Sequence, residues 1–431
     1  MPVMGTSWGR YPLAKQKIAS MHWRDTAIPQ ADGTVLPYGN GRSYGDVCTN
    51  DGGTLIAMRG LDRYMAFDAE RGTLRCEAGV LFSEILDLIV PRGWFLPVTP
   101  GTRFVTVGGA IANDVHGKNH HRAGTFGDHV LRFELLRSDD ARIECSRDEH
   151  ADLFTATIGG LGLTGIVTWA EFALQRIASP WMATETRRFG NLSEFFALSE
   201  ASERDHDYVV AWVDCAASAS LGRGVFISAN HAAADSPTGQ KPRRGSLGVP
   251  FTPPISLVNP LSVRAFNEMY FRAAREGKAV SHYVPYFYPL DAIGEWNRIY
   301  GPRGFLQYQC VVPPQNAQQA TAELLDRIAA SGKGSFLTVL KVFADRAPAG
   351  ILSFPRAGTT LALDFPNNGA ATFSLLDRLD DIVAAAGGAV YPAKDARMSG
   401  DRFRAYFPRW QDMLPHIDPR FSSGFWRRVT E

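Results

Sequence analysis

The sequence is poor in cysteine, and no spacing pairs the few cysteines that it has. Five occur in 431 residues, an odd number, and no two of them form a Cys-x-x-Cys motif. This arrangement indicates neither a zinc knuckle nor a disulfide framework, and no other metal-ligand set is predicted. Reduced thiols in a cytoplasmic protein are the simplest interpretation.

Long apolar segments are lacking too. Residues 1–12 have no apolar core of the kind found in a signal peptide. No stretch of the chain approaches the roughly 20 apolar residues that a membrane-spanning helix needs. We therefore expect a cytoplasmic protein. Peripheral contact with the inner face of a membrane stays open, because a short loop can provide it.

An excess of charge of either sign is absent as well. The 45 Lys and Arg residues against 44 Asp and Glu residues give a formal net charge of +1. Nucleic-acid binding, which usually needs a basic stripe, is not supported. A chain of 431 residues exceeds what one hydrophobic core usually fills, so two domains are expected.

Glycine, in contrast, is concentrated in a few clusters, of which the most informative lies in residues 100–119, PGTRFVTVGGAIANDVHGKN. Gly108 and Gly109 allow the backbone to approach a ligand closely, because glycine has no Cβ. Successive backbone N–H groups in such a turn form a concavity that binds anions. His116 and Lys118 add donors at its rim. The cluster predicts a site for a large cofactor that carries phosphate.

Two more glycine clusters share this character, YGNGRSYGD at residues 38–46 and GGLGLTGI at residues 159–166. The second contains a match to G-x-G-x-x-G, the fingerprint of Rossmann domains. That fingerprint opens a helix, whereas residues 166–174 are rich in β-branched and aromatic residues and alternate as a strand does. A Rossmann domain is therefore not indicated, and taken alone this cluster fits tight turns between strands about equally well.

Together, and in this order, the three clusters resemble the FAD-linked oxidases of the vanillyl-alcohol-oxidase type. Within that type the chain is most similar to the branch that oxidises decaprenylphosphoryl-β-D-ribose. The similarity extends from about Trp8 to the C-terminal FWRR motif. Outside the glycine clusters it rests on residues 287–291, 294–298, 304–313, 337–343, 363–366 and 391–397.

The resemblance implies an α+β fold, a two-domain flavoprotein with an FAD-binding domain and a substrate domain built on an antiparallel sheet. We expect residues 1–177 to form the N-terminal part of the FAD-binding domain and residues 178–388 the substrate-binding domain. Residues 389–431 are expected to return to the FAD-binding domain.

The substrate domain contains a long irregular region at about residues 230–260, which we expect to be flexible. One interpretation is a surface loop on which Lys241, Arg243 and Arg244 are simply solvated. The other is a mobile lid that admits a long lipid substrate, with these basic residues near its phosphates.

Periodicity predicts helices at residues 81–90, capped by Ser83 and ended by Pro91, and at residues 317–330 and 373–385. Alternation predicts the strands, which lie at residues 133–137, 143–145, 208–214, 224–228, 337–343 and 360–365. Their order favours an antiparallel sheet with helices on one face.

The implied cofactor is FAD, bound non-covalently. Many flavoproteins of this superfamily carry a histidine in Gly-x-Gly-His-Ser that bonds to the flavin 8α-methyl group, and here Arg42 stands in its place. His116 lies in a His-Gly-Lys-Asn motif that resembles support for the cofactor rather than a point of attachment. The residues implied to bind FAD are Gly39, Asn40, Gly41, Arg42, Ser43, Tyr44, Gly101, Thr102, Val107, Gly108, Gly109, Ala112, Asn113, His116, Gly117, Asn119, Gly162, Gly165, Ile166 and Tyr391.

Oxidation of a secondary alcohol requires a hydride to reach flavin N5 and a hydroxyl proton to be removed. The matched motifs imply a catalytic set, namely Lys394, Lys341, Gln309, Tyr44 and Lys118. Lys394 is a candidate base if burial lowers its pKa, and Asp395 pairs either with Lys394 or with Arg397. Without the resemblance, Gln309 would also fit an exposed position on a paired strand. Lys341 would also fit the edge of a strand.

The implied reaction oxidises the 2′-hydroxyl of a polyprenyl-phosphoryl-β-D-ribose to the 2′-keto sugar, the first half of an epimerisation to the arabinose. The implied partners are a lipid-linked phosphoribose substrate and an NAD(P)-dependent ketoreductase. Two alternatives stay open: an FAD-dependent oxidase of another sugar, alditol or aldonolactone, and a non-catalytic flavin- or glycan-binding protein. The family's cysteine before Val-Asp-Phe-Pro is replaced by Ala362, which implies that covalent capture of nitroso-type inhibitors is lost.

Overall fold

The computed structural model describes residues 4–217, 221–236 and 247–431. The α-helices are α1 Phe82–Ile89, α2 Val107–Ala112, α3 His120–Ala123, α4 Ala151–Thr157, α5 Leu192–Glu203, α6 Pro260–Ala273, α7 Tyr283–Phe287, α8 Ala317–Ala330, α9 Ala370–Ala385, α10 Gly400–Tyr406 and α11 Gly424–Thr430. Short 3-10 helices lie at Asp46–Cys48, Met58–Gly60, Val90–Arg92, Phe126–His129, Pro289–Ala292, Trp296–Tyr300, Pro314–Asn316, Pro392–Lys394 and Trp410–His416.

The strands in the first half of the chain are β1 Lys17–Ser20, β2 Val35–Tyr38, β3 Thr54–Ala57, β4 Tyr64–Asp68, β5 Thr73–Glu77, β6 Trp94–Phe95, β7 Val130–Leu136, β8 Arg142–Ser146, β9 Ile166–Ala173, β10 Gln175–Arg176 and β11 Trp181–Phe189. Those in the second half are β12 Tyr208–Val213, β13 Gly224–His231, β14 Leu247–Gly248, β15 Gly277–His282, β16 Ile293–Gly294, β17 Phe305–Val312, β18 Thr338–Phe343, β19 Gly358–Pro366 and β20 Ala389–Val390.

Two sheets form the first part of the molecule. Strands β1, β3 and β2 pair in parallel, and β4-β5-β9-β7-β8 form an antiparallel sheet. The G-x-G-x-x-G match leads directly into β9, so it opens a strand and not a helix. The rejection of a Rossmann domain is confirmed, because the helix that the fingerprint needs is absent at this place.

An antiparallel sheet of eight strands dominates the second part, in the order β15-β11-β13-β12-β18-β19-β17-β20. Helices α5, α8 and α9 contact its strands and one another. Side chains alternate along β17, so Tyr308 and Cys310 enter the apolar core while Gln307 and Gln309 line a cavity on the opposite side. The α+β class with an antiparallel sheet, predicted from the sequence, is confirmed.

The end of the chain returns to its beginning. Val35 forms a parallel bridge with Phe421, and Arg428 pairs with Asp46 at 2.7 Å between Nη2 and Oδ1. Strand β20, however, is hydrogen-bonded within the eight-stranded sheet. The division of the chain into domains after residues 177 and 388 stays a prediction.

The predicted helices have clear counterparts in α1, α8 and α9, although their ends differ in detail. The prediction that Ser83 caps the first helix is wrong, because Leu81 occupies that position and its N–H donates to Glu84 Oε2 at 2.8 Å. Helix α9 begins at Ala370, three residues before the predicted start. The residues at which a helix begins and ends depend on local capping contacts, and the spacing of apolar residues does not predict these contacts.

Part of the irregular region at residues 230–260 forms regular structure: β13 ends at His231, β14 is a two-residue strand, and α6 begins at Pro260. Lys241, Arg243 and Arg244, on which the lid interpretation depends, lie outside the described residues. All five cysteines are free. Within the described ranges no helix is both long and apolar enough to cross a membrane.

Candidate active site

A cavity of about 510 Å³ lies between the glycine clusters and the face of the large sheet that points away from helices α5, α8 and α9. Its size is in the range usual for sites that hold a small molecule or a cofactor. Side chains from β12, β17, β18 and β19 form one wall, because residues two apart on a strand share a face.

The glycine cluster at residues 38–46 follows β2 and forms the opposite wall. Gly41 has a φ of +59°, and a Cβ there would overlap the Tyr38 hydroxyl oxygen. A Cβ on Gly45 would overlap the carbonyl oxygen of Asp395. Glycine is therefore required at these two positions for the loop to pack against its neighbours.

This close approach brings Lys394 to Tyr44. The backbone N–H of Tyr44 donates to the Ala393 carbonyl oxygen at 2.9 Å, and Lys394 Nζ lies 3.9 Å from the centre of the Tyr44 ring. Burial lowers the pKa of Lys394 to about 7, although the nearby Asp364 carboxylate acts in the opposite direction. The amine is therefore able to exchange a proton near neutral pH.

His116 links Lys341 to Gln309. Its Nδ1 lies 3.2 Å from Lys341 Nζ, and its Nε2 lies 3.0 Å from Gln309 Nε2. Lys341 Nζ also donates to the Gly117 carbonyl oxygen at 2.7 Å. Burial lowers the pKa of Lys341 to about 7, and burial together with the Lys341 charge holds the pKa of His116 well below its usual value.

The protonation of these groups is coupled, because a neutral imidazole has one donor and one acceptor nitrogen. If the Lys341 ammonium donates to His116 Nδ1, then His116 Nε2 carries a hydrogen and needs the oxygen of the Gln309 amide as its acceptor. Rotation of that amide by half a turn provides the oxygen. The three side chains thus form one network that can hold or pass a proton on the wall of the cavity.

Lys118 is held differently from the other two lysines. Its Nζ donates to the backbone carbonyl oxygens of Tyr286 at 2.5 Å and Phe287 at 3.2 Å, at the C-terminal end of α7. It also lies 4.7 Å from the centre of the Tyr286 ring. Burial lowers the pKa of Lys118 to about 7. In this arrangement Lys118 joins the loop after His116 to α7 while still lining the cavity.

Gln307 is oriented by a buried carboxyl group. Its Nε2 donates to Asp364 Oδ1 at 2.6 Å, and the two residues lie opposite each other on β17 and β19. Burial raises the pKa of Asp364 to about 7. Gln307 is two residues from the predicted Gln309 on the same strand, and both line the cavity wall.

The residues around the cavity fit FAD. Arg42 stacks on the Trp8 ring at 4.1 Å, and its buried Nε has no hydrogen-bond partner in the structure. The buried Oδ1 of Asn113 is likewise without a partner. A cofactor with phosphates and a ring that forms hydrogen bonds would satisfy such groups, and Arg42 and the loop that carries it are the residues to hold the phosphates.

Most of the predicted site lines this cavity, including all five residues of the predicted catalytic set. The side chains of three predicted cofactor residues do not. Val107 and Ile166 are fully buried in apolar clusters, and the Asn119 side chain donates to the Pro97 carbonyl oxygen at 2.7 Å. Each of these three predicted residues lies beside a glycine-rich turn. Its position in the sequence does not show that its side chain points into the core.

The Asp395 carboxylate forms no ion pair with the side chain of Lys394 or Arg397, the two partners considered for it. Its Oδ2 accepts from Arg428 Nη2 at 3.0 Å and from the backbone N–H groups of Arg397 and Met398. The Arg397 guanidinium is bound to Asp377 and Asp380 instead. Arg428 is far away in sequence, so the spacing of charges around Lys394 gave no signal for it.

Aromatic residues of the cavity are the main group that sequence reasoning missed. Trp8, Trp212, Tyr270, Tyr286 and Trp296 all line it. Trp212 lies on β12 between Ala211 and Val213 of the apolar core, so strand alternation was a usable signal. The others lie on helices or loops, where no period identifies the face that meets the cavity.

The fold and the cavity together define an FAD-dependent oxidoreductase, and comparison with known proteins agrees. Residues 26–146 match the model of the FAD binding domain. Over 413 residues the chain is 37% identical to the decaprenylphosphoryl-beta-D-ribose oxidase of Mycolicibacterium smegmatis, an alignment that covers 92% of this chain and 89% of the relative.

Two further relatives extend the comparison. An uncharacterized protein in the mprA 5′ region of Streptomyces coelicolor is 34% identical over 81% of this chain and 100% of its own length. The L-gulonolactone oxidase of Mus musculus is 30% identical over 32% of this chain and 31% of its own length. The chain belongs to the FAD-linked oxidase family that includes decaprenylphosphoryl-β-D-ribose oxidase, and its cofactor is FAD.

Proposed function

We propose that this enzyme oxidises the 2′-hydroxyl of a polyprenyl-phosphoryl-β-D-ribose to the 2′-ketone. The observation that carries the proposal is the single cavity that Lys394, Lys341 and Gln309 all line, in a chain similar over 92% of its length to a protein named for that substrate. Amines whose pKa is near 7 suit the removal of a proton from a sugar hydroxyl.

Bound FAD supplies the acceptor for the hydride that leaves the sugar carbon. The protein must then orient the sugar, exclude water and accept the hydroxyl proton. Lys394, or Lys341 through His116, takes that proton, and Gln309 and Tyr44 position the sugar. Lys118 places α7 against the cavity and neutralises negative charge on the substrate.

The remaining proposals follow from this chemistry. A 2′-keto sugar becomes an arabinose only if a second enzyme returns a hydride to the opposite face, so a ketoreductase that uses a nicotinamide cofactor is the expected partner. A substrate with a polyprenyl chain resides in a membrane, so peripheral contact with a membrane is expected.

The test is anaerobic reduction of the bound flavin. Purified enzyme is mixed with farnesylphosphoryl-β-D-ribose, and loss of the visible absorption of oxidised flavin is followed by stopped flow. The matched control is the 2′-deoxy form of the same compound, which lacks only the hydroxyl group to be oxidised. The proposal expects rapid bleaching with the first compound and none with the second.

Two other outcomes would overturn the proposal. Bleaching by the 2′-deoxy compound would place the oxidation at another carbon. Bleaching by an aldonolactone or alditol, with no response to the phosphoribose, would identify an oxidase of free sugars. Borodeuteride reduction of the product gives a second readout, since deuterium should appear at carbon 2 of both ribose and arabinose.

A further inference from the structure

In one part of the described chain, several large apolar side chains are exposed to solvent close together rather than singly. Most of them lie between residues 247 and 269, and one follows at residue 293. Together they define the apolar patch, which consists of Leu247, Phe251, Ile255, Leu257, Leu261, Met269 and Ile293. Leu247 is 89% exposed and Leu261 is 79% exposed. Exposed apolar groups that cluster in this way mark interaction sites.

The patch is anchored by backbone hydrogen bonds. Strands β14 and β16 pair Leu247 with Ile293, and the Leu257 N–H donates to the Ile299 carbonyl oxygen at 2.8 Å. Beneath them Val258 packs in a buried cluster with tryptophan and tyrosine side chains. The exposed side chains therefore stand on an ordered base.

Helix α6 contributes an outward apolar edge. Leu261 and Met269 are exposed, and they lie eight residues apart, which places them within about 80° of each other around the helix axis. Val263 and Asn267 are buried on the other face. Asn267 Nδ2 donates to Asp214 Oδ1 at 2.9 Å, which holds the helix to the end of β12. This helix therefore presents apolar side chains outward, at Leu261 and Met269, as well as inward, at Val263.

Exposed arginines lie beside the patch on and just after helix α6. Residues 247–275 contain three arginines and a single acidic residue, Glu268. Glu268 is itself bound to Arg223 and Arg272, so it adds little negative potential. Arg264 and Arg275 are exposed. The acidic residues near Ile293, Asp291 and Glu295, are paired with Arg103 and Arg298. This leaves Arg264 and Arg275 as the exposed charges beside the patch.

The segments that carry the patch also border the cavity. Tyr270 of α6 lines it, and so do Leu290 and Trp296 on either side of β16. Tyr270 packs against Trp212 of the large sheet, with ring centres 4.7 Å apart. A partner that covers the apolar patch would therefore lie next to the site of the chemistry.

We infer that the apolar patch docks on the surface of an anionic lipid bilayer, with Leu261, Met269 and Phe251 inserted at the level of the headgroups. Apolar side chains flanked by arginines have the composition that such a surface attracts. The purpose of the docking rests on the proposed function, because a polyprenyl substrate can pass from the bilayer into the cavity. The docking itself requires no turnover.

Flotation with lipid vesicles tests the inference on the full-length holoenzyme. The vesicles contain phosphatidylcholine alone or with one third phosphatidylglycerol. We expect binding to the anionic vesicles, weaker binding at high salt, and a partition coefficient about tenfold lower for the variant Leu261→Ser/Met269→Ser. Arg264→Gln/Arg275→Gln should weaken binding to anionic vesicles only. The matched control Leu13→Ser/Leu414→Ser replaces exposed leucines outside the patch and should bind as the unmodified enzyme does.

Equal binding by the patch variant and the control, or no binding of the unmodified enzyme to anionic vesicles, would overturn the inference. Sedimentation of the lipid-free enzyme adds a second criterion: a dimer that the patch variant converts to a monomer would assign the patch to a second copy of the chain. Flavin reduction by soluble farnesylphosphoryl-β-D-ribose should be the same in all variants. Failure of the proposed function would appear in that assay for every protein, whereas failure of docking would appear only with vesicles.

Discussion

At the residue scale, three lysine side chains lie on one cavity with pKa values lowered to about 7 by burial. A lysine is rarely buried unless its amine has partners, and each amine here has a different environment. Lys118 has the end of a helix, Lys341 has His116 and a backbone carbonyl, and Lys394 has the face of Tyr44. Because the environments differ, we expect substitutions of the three lysines to have different effects on flavin reduction.

We expect the rate of flavin reduction to depend on the protonation of Lys394. Its pKa lies near 7 and the neutral amine is the form that accepts a proton, so the rate should rise with pH through about 7 and then level off. Lys394→Met should lower that rate roughly 10²–10⁴-fold and abolish the inflection. Stopped-flow reduction between pH 5.5 and 9 measures both.

Two variants serve as controls for Lys394. Lys17→Met changes an exposed lysine whose side chain is 74% exposed and should leave the profile unaltered. If Lys341→Met, and not Lys394→Met, removes the inflection, then Lys341 is the base. Full activity of Lys394→Met at every pH would exclude Lys394 from the site.

Gly45 offers a test of the close packing that brings the first glycine loop to Lys394. Gly45→Ala would drive a methyl group into the Asp395 carbonyl, so we expect a loss of roughly 1–3 kcal/mol in the free energy of unfolding together with weaker FAD binding. Gly190→Ala is the control, since its Cβ would meet only ordinary contacts with the Glu194 side chain. Denaturant titration with and without FAD compares them, and equal stability would contradict this account of the loop.

At the element scale, the alternation of β17, β18 and β19 decides which side chains reach the cavity. Gln309 lies opposite Ala362, Ala362 lies opposite Val339, and all three line the cavity. The same register places Asp364 opposite Gln307. A shift of one residue in any of these strands would move its polar side chains from the cavity into the core.

Asp364, which this register buries, should make the stability of the folded protein depend on pH. Burial raises the pKa of Asp364 to about 7 in the folded protein, whereas an aspartate in the unfolded chain has a pKa of about 4. The protonated carboxyl group therefore contributes its full stability below about pH 4. This contribution is lost as the pH rises through about 7. Asp364→Asn cannot ionise. Relative to the unmodified protein, it should therefore gain stability between pH 4 and 7, by at most about 4 kcal/mol.

Melting temperatures at pH 4.5 and 8 measure this difference. Asp32→Asn changes a carboxylate that is 93% exposed and should show no such change with pH. The Asp364 carboxylate also raises the pKa of Lys394, so Asp364→Asn should move the inflection in flavin reduction to lower pH. An inflection that moves to higher pH would contradict the predicted direction.

At the scale of the whole molecule, one cavity joins the glycine loops, the eight-stranded sheet and the chain's return at Lys394. FAD should therefore stabilise all of these parts together. We expect FAD at a hundred times its dissociation constant to add about 2.7 kcal/mol to the stability of the apoprotein. A thermal transition that shifts as a single unit would support this, and a shift of only part of the transition would contradict it.

Acid precipitation of the FAD-bound protein tests whether FAD is bound covalently or non-covalently. Arg42 occupies the place at which many flavoproteins of the superfamily carry the attaching histidine, and the His116 ring nitrogens already contact Lys341 and Gln309. We therefore expect acid precipitation to release all of the flavin into the supernatant. Yellow colour retained in the washed pellet would show a covalent bond and contradict the prediction.

Much of the site could be predicted because glycine motifs and strand alternation are local signals. Gln307 and Gln309 share a face whatever the rest of the fold does. Asn119 illustrates the limit: it lies in the same motif as His116, but its amide is bound to the Pro97 carbonyl oxygen inside the core. The orientation of a side chain in a loop depends on contacts that are distant in sequence.

The sequence by itself determined the fold class, the FAD cofactor and the polar residues proposed to carry the chemistry, because its motifs resemble those of a known family and a motif is a matter of residue type and short spacing. Tertiary structure alone decided that Lys118 binds the end of α7, that Asp395 pairs with Arg428, and that aromatic residues far apart in the chain enclose one cavity. It also decided the pKa values of the lysines. Burial is a property of the packed molecule, and it lowers those pKa values by withdrawing each amine from water.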